Sequence, residues 1–172
     1  MRSLHLLICL LIMFSAGSLR GFAQDATSSN TGGVDAYKVE DLNARLEAGG
    51  DTIYVLNFWA TWCAPCIKEM PYFDQLQEEY ADRPLKVLLI SVDAPSRAGK
   101  SLPAFMEKRA PQSEVLHLNE AKPHIYIDRI EPEWSGSVPA TLIRQPSSGK
   151  KVFHEGEITF PELDALVKPL MN

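Results

Sequence analysis

The chain has 172 residues, of which 45% are apolar and 23% are charged, and its formal net charge at pH 7 is −5. This length and apolar content suit one domain with an ordinary hydrophobic core. A mildly acidic chain without a basic cluster argues against nucleic acid or an anionic lipid surface as a partner.

The N-terminus has the pattern of a secretory signal peptide. Met1-Arg2 precedes a nearly unbroken apolar run from Leu4 to Phe14, and small residues precede a cleavage site after Ala23. A retained anchor is less favoured, because spanning a membrane needs about 20 apolar residues. We therefore expect a signal peptide over residues 1–23 and an extracytoplasmic, periplasmic protein after cleavage. Its net charge would be −7, since the removed segment holds two basic and no acidic residues.

The next segments combine a leader, a helix and a strand. Residues 24–36 are small and polar, which favours a flexible leader before a domain over residues 37–172. Apolar residues at helical spacing predict a helix over Val39–Ala48, which Gly49-Gly50 ends. The continuous apolar run Ile53–Phe58 is typical of a strand covered on both faces.

A second helix and a second buried strand follow. The helix is predicted over residues 64–80, with a kink at Pro71 because proline removes a backbone donor. The strand is predicted over residues 85–92. A strand, helix and strand at this spacing form a crossover between parallel neighbours, so the architecture is α/β.

The second half of the chain predicts shorter elements. Ser101 is expected to cap a helix over residues 102–109. The proline-containing stretch 111–135 leaves room for a short strand at 115–118 and a short helix at 125–130. A hairpin and a final helix complete the prediction, with strands at 140–144 and 151–154 and the helix at 160–170.

The cysteines are the candidate reactive residues of this chain. Cys9 leaves with the signal peptide, whereas Cys63 and Cys66 lie three positions apart where the first buried strand meets a helix. A disulfide over so short a loop stabilises a fold very little. The unpaired N–H groups of a helix start favour a thiolate, and such placement brings a cysteine pKa from about 8.5 to roughly 3.5–7.5. We therefore interpret Cys63 as the nucleophile and Cys66 as the resolving cysteine of disulfide exchange.

The residues next to the two cysteines are consistent with a pair that exchanges disulfides. Pro65 suits the first turn of a helix, and Trp62 either offers a flat apolar contact to a substrate or packs in the core. A zinc site needs four ligands, and the scattered histidines at positions 117, 124 and 154 lack ligand spacing, so we expect no metal and no cofactor. A structural disulfide and a peroxidase are less favoured alternatives.

Residues 57–71 form a segment that resembles the motif of a known family. Their sequence, Asn-Phe-Trp-Ala-Thr-Trp-Cys-Ala-Pro-Cys-Ile-Lys-Glu-Met-Pro, resembles the active-site segment of the TlpA/ResA-like thioredoxins, an exported branch of the thioredoxin superfamily. The resemblance extends over residues 37–170. It implies the thioredoxin fold, with a central mixed sheet of four to five strands flanked by helices.

The resemblance also implies a cis peptide bond between Val138 and Pro139, opposite the cysteines. The backbone of Val138 would then pair with an extended substrate, so Trp62, Pro65, Val138 and Pro139 are the expected substrate-binding residues. From the residues alone, Pro139 is equally consistent with a proline at a strand start.

Two departures from the family concern proton transfer. Asn57 stands where cytoplasmic-type thioredoxins have a buried Asp, so that proton acceptor for Cys66 is absent. The resemblance implies a Glu shortly after the second strand, where this chain has Ala94 beside Asp93. Asp93 is a candidate substitute, although a surface or turn role is favoured.

The predicted function is that of an exported thiol:disulfide oxidoreductase acting on protein disulfides. The resemblance suggests a reductant, for example in cytochrome c maturation, that receives electrons from a membrane donor. Two alternatives stay open: a periplasmic dithiol oxidant, and a redox-inactive module that binds extended peptides beside Pro139.

Overall fold

A computed structural model describes residues 29–31 and 33–171. The predicted signal peptide (1–23) and its cleavage site lie outside these ranges. Within them, no helix has the length and apolar character needed to cross a membrane.

A mixed sheet of seven strands runs through the described part of the chain. The strands are β1 (Ser29–Thr31), β2 (Val34–Tyr37), β3 (Ile53–Trp59), β4 (Leu85–Ser91), β5 (Glu114–Leu118), β6 (Ala140–Gln145) and β7 (Lys150–Glu155). Their spatial order is β1-β2-β5-β4-β3-β6-β7. The pairs among β2, β5, β4 and β3 are parallel, whereas β1–β2, β3–β6 and β6–β7 are antiparallel.

Helices cover both faces of the sheet. They are α1 (Val39–Glu47), α2 (Ala64–Glu79), α3 (Pro95–Arg109), α4 (Ile127–Ile130) and α5 (Phe160–Val167). Buried side chains of α2, α3 and α5 form the core on one face. Those of α1, together with Tyr126 and Trp134, form the core on the other. The prediction of an α/β thioredoxin arrangement is confirmed.

The two covered faces of strand β3 explain why its sequence is apolar except at Asn57. Its side chains alternate between the two cores, with Val55 and Trp59 on the α2 face and Leu56 and Phe58 on the α1 face. The same alternation directs Asn57 to the α2 face, where it is fully buried. The strand therefore ends beside the first turn of α2.

The predicted number of strands, four to five, is wrong. The additional strands β1 and β2 come from residues interpreted as a flexible leader, and β2 pairs in parallel with β5. Val34 and Ala36 are buried, while Asp35 between them is exposed. So short an alternation is not distinctive in sequence, and the strand exists because the edge of β5 supplies its backbone partners.

Helix α3 begins earlier than predicted. It starts at Pro95 rather than at residue 102, and Ser101 does not cap it but donates its hydroxyl to the carbonyl of Arg97 at 3.2 Å. The buried face of α3 consists of Ala98, Leu102 and Phe105. Its first turns carry small residues, which conceal the helical pattern in the sequence.

The other predicted elements occur within a few residues of their expected bounds. Helix α2 runs through Pro71 to Glu79. The stretch 111–135 holds β5, a 3₁₀ turn at Pro123–Ile125 and α4. Helix α5 ends at Val167 and continues as a 3₁₀ turn.

Candidate active site

Cys63 and Cys66 lie at the N-terminus of α2 and form a disulfide. Their Cα atoms are 5.3 Å apart. Cys63 is the N-cap residue, and its Sγ accepts a hydrogen bond from the backbone N–H of Cys66 at 3.3 Å. Cys63 is 4% exposed and Cys66 is fully buried, so Cys63 is the outer sulfur. The predicted position of the pair, at a strand–helix junction, is confirmed.

The Val138–Pro139 peptide bond lies across from the cysteines. It is cis, as the resemblance implied. The carbonyl oxygen of Val138 is 3.7 Å from the Sγ of Cys63. The structure therefore brings together Cys63, Cys66 and the loop before β6 that the sequence placed opposite them.

The loop before Pro139 is held by contacts from the end of the stretch 111–135. The indole N–H of Trp134 donates to the carbonyl of Ser137 at 2.8 Å, and the Trp134 ring packs on Phe58 with centroids 4.7 Å apart. Gly136 has a φ of +91°, and a Cβ there would lie 2.7 Å from the side chain of Ile127. The positive φ therefore favours glycine at this position.

Trp62 and Pro65 flank the disulfide on its outer side. The side chain of Trp62 is 67% exposed, which is unusual for a large hydrophobic residue. The alternative that Trp62 packs in the core is therefore wrong. Pro65 occupies the first turn of α2, where its missing N–H leaves no bond unmade. An apolar surface therefore lies next to the outer sulfur.

Glu69 is a buried carboxylate that the sequence interpretation missed. It lies one helical turn after Cys66 and is 2% exposed. It accepts hydrogen bonds from the Asn57 side-chain amide at 2.9 Å and from the Ile158 N–H at 3.0 Å. Burial raises the pKa of Glu69 to about 7, against the lowering effect of these two bonds. The available signal was its spacing, because position i+3 from a buried cysteine shares the buried face of the helix.

Glu69 also borders a small pocket at the surface. It lines a small pocket of about 80 Å³ together with Tyr72 and Glu157. Glu69 therefore borders this pocket although the residue is almost fully buried. The amide oxygen of Asn57 is buried and accepts no hydrogen bond from the described protein atoms.

Asp93 does not lie at the surface, and its role as a substitute proton acceptor for Cys66 stays a prediction. It is 2% exposed, so a surface position is wrong. Its carboxylate accepts the backbone N–H of Thr61 at 2.9 Å, the hydroxyl of Thr61 at 2.7 Å and the hydroxyl of Ser91 at 2.8 Å. Asp93 therefore fastens the segment that leads into Cys63.

His117 supports Asp93 from the neighbouring strand. Its Nε2 is 2.9 Å from the Asp93 carbonyl oxygen, and the residue is 1% exposed on β5. Burial lowers the pKa of His117, which favours the neutral imidazole. Within residues 29–31 and 33–171, no three His, Cys, Asp or Glu side chains are grouped to hold a metal ion.

Residues 23–143 match the AhpC/TSA family. This chain belongs to the AhpC/TSA family. The match covers more than half of its residues, including the cysteine pair and the Val138–Pro139 loop.

Relatives of this AhpC/TSA chain match it around the active-site segment. The thioredoxin-like protein YneN from Bacillus subtilis is 45% identical over 53 residues, which are 31% of each chain. The thiol-disulfide oxidoreductase ResA from Oceanobacillus iheyensis is 49% identical over 39 residues, 23% of this chain and 20% of that one. The matches thus span less than a third of these relatives, and they confirm the predicted resemblance to ResA-like proteins.

Solved structures confirm the fold. A thioredoxin-related protein from Neisseria meningitidis serogroup B superposes with a TM-score of 0.60 over 69% of this chain and 84% of that one, at 22% identity. At this identity the similarity establishes the fold.

In this AhpC/TSA chain the site can support a two-electron exchange. It holds a disulfide-bonded cysteine pair, a backbone N–H that donates to the outer sulfur and a buried carboxylate whose pKa burial raises to about 7. These are the parts that thiolate formation and proton transfer require.

Proposed function

We propose that this protein is an exported thiol:disulfide oxidoreductase that exchanges its Cys63–Cys66 pair with protein substrates. The observation that carries the proposal is the Cys66 N–H, 3.3 Å from the Cys63 Sγ at the start of α2. In the dithiol form this N–H faces the outer sulfur and stabilises its thiolate. The names of the ResA relatives support the same activity.

The first step is attack by the outer sulfur. The Cys63 thiolate attacks one sulfur of a substrate disulfide, a mixed disulfide forms, and the other substrate sulfur leaves as a thiolate that takes a proton from solvent. Cys63 is the attacking residue because Cys66 is fully buried. The exposed ring of Trp62 provides an apolar contact beside the attacked bond, and the Val138 carbonyl lies opposite it, 3.7 Å from the Cys63 Sγ.

The second step releases the substrate. The Cys66 thiol loses its proton and attacks the Cys63 Sγ, so the internal disulfide forms and the second substrate sulfur leaves as a thiolate, which takes a proton from solvent. Glu69 accepts this proton in our proposal, since a carboxylate with a pKa of about 7 is matched to neutral pH. The pocket beside Glu69 then connects the proton to solvent. Two electrons pass from the dithiol to the substrate.

We further propose that the protein works as a reductant outside the cytoplasm, for example in cytochrome c maturation, with electrons from a membrane donor. The N-terminal pattern of residues 1–23 supports export. Potentials in this fold class run from about −270 to about −120 mV, so the measured midpoint decides the direction. A midpoint near −120 mV would assign the protein as a dithiol oxidant instead.

Insulin reduction by the mature protein tests the activity. We expect Cys63→Ser and Cys66→Ser each to abolish turnover, and Cys66→Ser to accumulate mixed disulfides that mass spectrometry can identify. Turnover that survives both substitutions would exclude this mechanism. Peptide binding without any turnover in the unmodified protein would indicate the redox-inactive binding module.

A further inference from the structure

A shallow groove lies beside the active-site segment, on the side of α3. Its volume is about 280 Å³, and it runs between α2 and α3. It begins at Thr61, two residues before Cys63. The residues that matter for its chemistry are Thr61, Ile67, Ala104, Phe105, Lys108 and Arg109. One end of the groove therefore lies within two residues of the outer sulfur in the chain.

The floor of the groove is apolar and firmly supported. Phe105 is 8% exposed, and its ring packs against Trp59 with centroids 4.6 Å apart. Ile67 is half-buried on the neighbouring turn of α2, and Ala104 adds a small apolar surface. Trp59 is fully buried in the core, so the floor rests on the central sheet. Such a floor favours an apolar side chain of the ligand.

The rim of the groove is basic. Lys108 and Arg109 are exposed in the last turn of α3, and within the described residues neither has an ion-pair partner. Cations in the last turn of a helix interact favourably with the helix dipole, which explains why Lys108 and Arg109 occur at the end of α3. The dipole does not explain why both of them line the groove. The chain as a whole has a net charge of −5. Lys108 and Arg109 are therefore two exposed cations, without ion-pair partners in the described part of the chain, on a groove that reaches Thr61 in a chain of net negative charge.

The groove continues past Arg109 and becomes less basic. Met70, Pro71 and Pro111 line this continuation, with Asp74 beside them. The Asp74 carboxylate accepts the backbone N–H of Ser113 at 2.7 Å, so it is engaged with its own chain. Arg109 lines both parts of the groove, and Lys108 lines the part that contains Thr61.

We propose that this groove binds the polypeptide segment next to the reactive cysteine of the substrate, and that this segment carries carboxylate side chains beside an apolar one. The inference rests on the proposed function and names its substrate class. Ala104 to Arg109 covers about 8 Å of helix, which an extended chain spans in about three residues. The carboxylates therefore lie within a few residues of the substrate cysteine.

Two closely matched pairs of cations allow a direct test. Arg97 and Lys100 are exposed on the same helix but do not line the groove, so R97Q/K100Q removes the same charge as K108Q/R109Q from the same element. Two disulfide-bonded peptides serve as probes, identical except that one has Glu and the other Gln at the positions flanking its cysteine. The measurement is the second-order rate constant of peptide reduction by the dithiol form of the mature protein.

We expect the unmodified protein to reduce the Glu peptide about five- to tenfold faster than the Gln peptide at low salt, because two exposed charge pairs act together. K108Q/R109Q should remove this preference, and R97Q/K100Q should keep it. Added salt should also remove it in the unmodified protein, since screening weakens exposed pairs. This salt series needs no variant, so it tests the inference even where a substitution impairs folding.

Hydroxyethyl disulfide, a small neutral substrate, separates failure of this inference from failure of the proposed function. Equal rates for the two peptides, with hydroxyethyl disulfide still reduced, would overturn the groove assignment and leave the oxidoreductase activity intact. A preference that survives K108Q/R109Q would also overturn it. A protein that reduces none of the three substrates would refute the proposed function itself.

Discussion

The carboxylate of Asp93 holds Thr61 by two hydrogen bonds, one to its backbone N–H at 2.9 Å and one to its hydroxyl at 2.7 Å. Asp93 follows β4, whereas Thr61 leads from β3 into Cys63. The contact ties the carboxyl ends of two neighbouring parallel strands together. The direction in which the nucleophile enters α2 therefore depends on a residue 30 positions later in the chain.

Replacement of Asp93 by Ala should weaken this tie. It leaves the half-buried N–H of Thr61 and the buried hydroxyl of Ser91 without this acceptor, so we expect the free energy of unfolding to fall by about 2 kcal/mol. Disulfide exchange should also slow. Asp93→Asn should cost less, because an amide oxygen can still accept the Thr61 N–H. Urea unfolding of the disulfide form measures the change, with the exposed Asp82→Ala as the control. Equal losses for Asp82→Ala and Asp93→Ala would contradict this assignment.

Glu69 should make the stability of the protein depend on pH. Its pKa is about 7 in the folded protein and 4.5 in an unperturbed carboxyl. A raised folded pKa gives stability that is fully present below about 4.5 and is lost as the pH rises through about 7. Between pH 5 and pH 8 the loss should be about 1–2 kcal/mol after allowance for solvent screening.

Glu69→Gln should remove that part of the pH dependence. The variant can keep both contacts, because the Asn57 amide can turn so that its unpartnered oxygen accepts from Gln. Urea midpoints at pH 5 and pH 8 give the comparison, with the exposed Glu78→Gln as the control. His117, whose lowered pKa acts in the opposite direction, is present in every variant and cancels in the difference. A slope as steep in Glu69→Gln as in the unmodified protein would argue against a titrating Glu69.

Trp62→Ala should separate binding from folding. The side chain is 67% exposed, so the free energy of unfolding should change by less than about 0.5 kcal/mol. Reduction of insulin should slow by about five- to tenfold, because an aromatic contact to the substrate is lost. Hydroxyethyl disulfide, which is too small to need the contact, should react at the original rate. Equal slowing of both substrates would instead indicate that Trp62 acts on the Cys63 thiolate.

Substitution of Gly136 tests the loop before Pro139, and substitutions of Gly50 and Gly99 elsewhere in the fold serve as comparisons. Gly136→Ala should destabilise the protein by about 2 kcal/mol and slow exchange, since it combines positive φ with a 2.7 Å contact to Ile127. Gly50→Ala meets nothing within 4 Å at a φ of +57°, so about 1 kcal/mol is expected, without an effect on exchange. Gly99→Ala, inside α3 with open space around it, should stabilise by about 0.5–1 kcal/mol. Thermal unfolding ranks the three, and a different order would exclude the steric explanation.

Local sequence was sufficient wherever one segment carried the whole signal. The apolar run of β3, interrupted by Asn57, identified a strand buried on both faces, and the spacing of Cys63 and Cys66 after it placed a pair of sulfurs at a helix start. The hairpin of β6 and β7 was likewise visible from its turn. In each case neighbours in the chain are also neighbours in the fold.

The sequence by itself determined the α/β class, the position of the cysteine pair and the resemblance to exported thioredoxins, because periodicity and a contiguous motif are local properties. Only the tertiary structure decided that residues 29–31 and 34–37 form strands, that Asp93 holds Thr61, and that Glu69 is buried against Asn57 and Ile158. Backbone partners and the desolvation of a carboxyl come from residues distant in the chain, so no local pattern encodes them.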